Sequence, residues 1–193
     1  MTFIKEYAQL AVILVGLTSI VLLLHLNWRW TLLALGVQYL ATAWLVSLYW
    51  PPGLAAIKLV VGWVAGAVLS TSQAGAPPHP EPLSGRAFRV IAAGLVLVVI
   101  WILAPAAQNW LQVDAAVVLG GLVLCGVGLL QTSMTQDPLR MVVGLLSFLA
   151  GFEVIFAALE LSVVVAGLLA VVNLGLALAG AYLQTATESQ EAE

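Results

Sequence analysis

LRMVVGLLSFLAGFEVIFAA, Leu139 to Ala158, decides the fold class. Around Glu153 the run is apolar and long enough to cross a bilayer core, which takes about 20 residues of helix. A carboxylate at that depth costs about 2.5–3.5 kcal/mol on insertion scales, so Glu153 is the first place to look for function. Similar runs recur through a chain of 193 residues that is 63% hydrophobic and 8% charged, with a mean hydropathy of +1.11. Too little polar surface remains to cover a soluble globule. Stretches such as Ile91 to Leu103 and Val113 to Leu130 are apolar on all sides rather than alternating, which excludes a β-barrel. The chain reads as all-α, a polytopic transmembrane helical bundle.

Seven spans can be drawn, near residues 7–26, 31–49, 54–71, 88–105, 113–131, 139–159 and 162–184. Their separators have physical causes. Trp28 and Trp30 flank Arg29 at an interface, and Trp50-Pro51-Pro52-Gly53 stops a helix. Asp114 and Asp137-Pro138 look like helix caps, the second with proline at the first helical position. The polar stretch Thr71 to Arg89 holds four prolines between Pro77 and Pro82 and predicts an extended loop, a linker or a docking segment for a partner. The organisation is then three N-terminal helices (1–71), a proline-rich loop (72–87), four C-terminal helices (88–184) and an acidic tail (185–193). No small-residue cleavage site follows the first apolar stretch, which reads as a retained helix rather than a signal peptide.

Nine acids against six bases give a net charge of −3, which attracts no nucleic acid. Arg29, Arg86, Arg89 and Arg140 fall on one side of the seven spans and Lys5 and Lys58 on the other. This asymmetry predicts an inner-membrane protein with its N-terminus outside and its C-terminus cytoplasmic.

The candidate proton-handling residues are Glu153, Glu160 and Asn173. Glu153 and Glu160 are two turns apart on one helical face, but Glu160 lies at the turn and reads as an interfacial acid exposed to water. The tight turn from Leu159 to Ser162 makes the sixth and seventh helices an antiparallel hairpin. Folding back at Leu161 brings Asn173 to within about a turn of the depth of Glu153, where its amide could bond the carboxyl group. Lys58, four or five residues inside the third span, reads as snorkelling back to the interface. Gly62 and Gly66, Gly120, Gly121, Gly126 and Gly128, and Gly175 and Gly180 mark close helix contacts, within the chain or against other subunits.

Cys125 inside an apolar segment reads as packing. His25 and His79 have no clustered acids or cysteine pair beside them, so no metal site is expected. Met134 and Met141 without an inward histidine make no haem site, and no cofactor is predicted. Neither a nucleotide loop nor a nucleophile with its base occurs, so the chain is at most an accessory subunit of an oxidoreductase complex.

The segment Pro138 to Gln184, with Gly151-Phe152-Glu153, Ala157-Ala158 and then Asn173-Leu174-Gly175-Leu176-Ala177-Leu178, resembles subunit K of complex I. That family carries a membrane glutamate after a glycine and an apolar residue, and a second glutamate ahead of a Gly-Leu-Ala-Leu-like stretch. By this resemblance Glu153 matches the first glutamate, and Asn173 stands where the second would be, a neutral amide that cannot hold a proton. The whole layout, with extra helices ahead of such an end, is similar to the component-E family of hydrogenase-4 and formate hydrogenlyase complexes. In that second register Leu149 and Ala150 replace a Glu-Asn pair. Both resemblances imply a non-catalytic membrane subunit of a redox-linked or ion-translocating assembly related to complex I, group 4 hydrogenases or cation/proton antiporters. Its partners would be antiporter-like or hydrogenase-like integral membrane subunits, because so few intramembrane ionisable groups cannot build a complete proton path. The other readings are a purely structural subunit of a photosynthetic or respiratory complex and a stand-alone transporter. The latter predicts an internal repeat with broken helices, which the sequence does not display.

Overall fold

The computed structural model describes residues 7–24, 27–72 and 83–191. Among these residues the chain forms seven helices: α1 (Ala8–Leu24), α2 (Trp28–Val46), α3 (Pro52–Thr71), α4 (Leu83–Leu111), α5 (Ala115–Ser133), α6 (Pro138–Leu159) and α7 (Val163–Glu191). Within α3 to α7 lie five segments long and apolar enough to cross a membrane; α1 is apolar but shorter. α2 has the length without the apolarity, for a structural reason. It packs against α1, α3 and α6 and buries the polar residues Thr31, Gln38, Tyr39 and Thr42. A helix shielded by its neighbours need not be apolar all round.

Local chemistry sets the ends. Asn27 caps α2, its Oδ1 accepting from the Arg29 N–H at 3.1 Å, and Asp137 caps α6 by accepting from the Leu139 N–H at 3.1 Å, with Pro138 opening the helix. Asp114 occupies the N-cap position of α5 but makes no capping bond. Its carboxylate instead accepts from the Tyr49 hydroxyl at 3.1 Å, while its own N–H donates to that hydroxyl at 3.0 Å. This contact ties the α2–α3 turn to the α4–α5 turn.

Three expected boundaries move. α4 begins at Leu83, so the segment 84–89 is helical rather than extended loop, because the last proline is Pro82 and a helix can start just after one. The proline cluster itself and His79 lie outside the described residues, as does His25. α4 also passes Pro105, as membrane helices tolerate, and ends six residues later, at Leu111. Gln112 follows with φ 54°, the left-handed conformation that closes many helices. Finally, α7 continues to Glu191 through the expected tail, which contains neither Gly nor Pro to stop it.

The bundle has two distinct ends. At one end lie Tyr49, Trp50, Asp114 and Glu160; the Trp50 indole N–H donates to the Glu160 carbonyl at 3.3 Å. At the other, Arg140 Nη2 donates to the Leu23 carbonyl at 3.2 Å, and the Ser72 hydroxyl donates to Gln184 Oε1. α2, α5 and α6 are the most enclosed helices, whereas α3, α4 and α7 turn broad apolar faces outward.

The tightest seam joins α5 and α6. Gly121 and Gly128 on one helix face Gly151 and Gly144 on the other. A Cβ on Gly128 would lie 2.6 Å from the Gly144 carbonyl oxygen, and one on Gly151 would lie 2.5 Å from that of Gly121. Glycines two turns apart on antiparallel helices thus let two backbones touch. Cys125 packs in this seam, its Sγ 3.6 Å from the Phe148 carbonyl oxygen.

Candidate functional site

Four helices converge on one buried polar cluster. α6 supplies Glu153, which is 8% exposed, and α7 supplies Asn173, which is fully buried. The Asn173 Nδ2 donates to Glu153 Oε1 at 2.8 Å, across the hairpin made by the turn at 160–162. α2 adds Tyr39, whose hydroxyl donates to Asn173 Oδ1 at 3.3 Å. These two bonds fix the amide orientation, because a carboxylate can only accept and the phenol donates to the amide oxygen.

α3 supplies the fourth member. Lys58 forms an ion pair with Glu153 Oε2, and its Nζ stands 5.4 Å from the centre of the Tyr39 ring. The expectation of a snorkelling lysine is therefore corrected: the stem turns inward, and the side chain is 11% exposed. Two features draw it in. Glu153 offers a counter-charge at the depth where an isolated carboxylate would be expensive. Gly62, one turn beyond Lys58, leaves room for the Tyr39 ring, which a Cβ there would strike.

The pair as a whole carries no net charge. Moving the proton from lysine to glutamate leaves it neutral, whereas removing either partner strands a charge in an apolar interior. A single added or withdrawn proton would charge the whole cluster, so proton exchange here requires water or a second polar group nearby. Both are at hand. A cavity of about 30 Å³ adjoins Lys58 and Glu153, walled by Trp50, Leu54, Ile57, Phe156 and Leu169. It has room for about one water. It lies on the Trp50 side of the pair, which sits about 9 Å inside the starting end of α3 at 1.5 Å per residue.

A second buried network starts one residue away on α2. The Gln38 amide donates to Ser19 Oγ of α1 at 3.2 Å, and its Oε1 accepts from the Ser147 hydroxyl of α6 at 2.9 Å. Together the two networks join α1, α2, α3, α6 and α7.

The other candidates fall outside this cluster. Glu160 is exposed and lies beyond the end of α6 in extended backbone, so it does not share a helical face with Glu153. A Cβ on Gly180 would strike Val142 and Leu69, a close α6–α7–α3 contact, but a Cβ on Gly66 or Gly175 would meet nothing. Neither of those two is a close contact within the chain. Met134 ends α5 and Met141 is exposed on α6.

Sequence reasoning does not place Tyr39, Gln38, Ser147 or the true direction of Lys58. The signal for the first two is the polar content of the second span, Gln38-Tyr39 with Thr31 and Thr42 at helical spacing. No protein-family model, curated protein or solved structure matches this chain.

Proposed function

We propose that this chain is a non-catalytic membrane subunit of a redox-linked or ion-translocating assembly, and that the Lys58–Glu153 pair is its proton-handling group. The observation that carries the reading is the buried acid–base pair, hydrogen-bonded through Asn173 to Tyr39 and adjoining a cavity of about 30 Å³. Intramembrane ionisable residues that pair with one another are rare and commonly mark proton or ion routes. The resemblance of Pro138 to Gln184 to subunit K of complex I supports the same role for Glu153. The pair, one amide and one phenol reach only part of the way across the bundle, so an antiporter-like or hydrogenase-like partner would complete the path.

Purification in mild detergent, followed by identification of companion proteins, tests the assembly. Replacement of Glu153 by Gln tests the chemistry. The expected result is a complex that keeps its composition and loses proton uptake in membrane vesicles. Unchanged uptake in an intact complex would leave the cluster a purely structural joint between four helices, the reading that its multi-helix hydrogen bonding favours.

A further inference from the structure

We infer that the groove between α2 and α3 binds one phospholipid with an anionic headgroup, its phosphate on Arg29 and one acyl chain along Gly36, Gly62 and Gly66. The groove is open along its outer side and offers about 360 Å³. It adjoins the polar cluster through Gly62, since that glycine both lines the groove and abuts the Tyr39 ring.

Charge complementarity identifies the occupant. Arg29 is the second residue of α2, exposed at the groove mouth, and among the described residues no carboxylate pairs with it. Its guanidinium stands 5.4 Å from the Trp28 ring, in the setting of an aromatic belt at headgroup level. Ser70, near the last turn of α3, lines the same end. From there to Gly36 the groove descends about 10 Å at 1.5 Å per residue, toward the hydrocarbon core, where an acyl chain and not a soluble phosphate would lie.

The walls are built for a chain. Trp63 forms one side, pinned by its indole N–H donating to the Gly36 carbonyl at 3.2 Å. Gly66, whose added Cβ would meet nothing, leaves the floor open. That open floor accounts for a helix glycine that makes no close contact inside the chain.

Native mass spectrometry of the full chain in mild detergent, with dioleoyl phosphatidylglycerol and dioleoyl phosphatidylcholine as probes, tests the site. The expected result is retention of phosphatidylglycerol over phosphatidylcholine by about fivefold, the size one basic residue supplies near an anionic surface. R29Q should abolish that preference, and because Arg29 is exposed the variant keeps its fold. G66L should reduce retention of both lipids by filling the groove. Phosphatidylglycerol that stays bound in excess inorganic phosphate supports a lipid site, and displacement by phosphate overturns it. Equal retention of the two lipids by the wild-type protein, or an undiminished preference in R29Q, would also overturn it.

Discussion

The two faces of α6 solve the same problem in opposite ways. On one face Gly144 and Gly151 press backbone to backbone against Gly128 and Gly121 of α5. On the other, about 200° around the helix from Gly151 at 100° per residue, Glu153 meets Lys58, Asn173 and, through the amide, Tyr39. The glycine seam is close-packed, and its specificity is steric. The polar cluster leaves a cavity of about 30 Å³ beside it, and its specificity is electrostatic. A seam without side chains has one state, whereas a cluster with a shareable proton has more than one. α6 is thus packed backbone to backbone on one face while its other face carries the polar cluster.

The largest effects should come from unbalancing the cluster. Lys58→Met strands the Glu153 carboxylate, and Glu153→Leu strands the ammonium. Each is expected to destabilise the bundle by about 3–5 kcal/mol, the range seen when one member of a buried pair is removed. Unfolding in mixed detergent and SDS micelles reads this directly. Next comes the seam: Gly128→Ala puts a methyl group against the Gly144 carbonyl and the Phe148 backbone, neither of which can yield easily. Overpacking of this kind costs about 1–3 kcal/mol. A Gly128→Ala protein as stable as wild type would remove the steric half of the comparison. Gly175→Ala serves as its control, since a methyl there meets nothing, and should change stability by less than about 0.5 kcal/mol.

The glycine seam and the polar cluster differ in how far the sequence discloses them. Glu153 stands out because an apolar run makes its charge conspicuous, and Asn173 follows because a three-residue turn at 160–162 fixes the depth of one arm against the other. Lys58 does not follow. Its partner lies on a helix that is not its neighbour in sequence, and a long stem near a helix end can go either way. Gly121 and Gly128 are visible as contact markers, but glycine carries no side chain that names its partner. The polar content of α2 is legible, yet only the bundle shows that neighbouring helices enclose it. The helix boundaries that move, at Leu83, Leu111 and Glu191, do so where the helix continues past an apolar segment.

A smaller effect sharpens the view of the amide as a connector. Asn173→Leu removes the donor to Glu153 and leaves the Tyr39 hydroxyl without its acceptor. Interhelical hydrogen bonds in membranes contribute about 0.6 kcal/mol on average. The same micelle assay should show a loss of that order, well below that of either charge variant. A loss as large as that of Lys58→Met would mean that Asn173, rather than the lysine, balances the carboxylate.

The most direct test is the double-mutant cycle on Lys58 and Glu153, measured as unfolding free energy in micelles. If the two charges neutralise each other inside the bundle, Lys58→Met with Glu153→Leu restores most of the stability that each single change removes, a coupling on the order of 3 kcal/mol. Additive losses, with the double variant weaker than either single one, would contradict the pairing of the two charges.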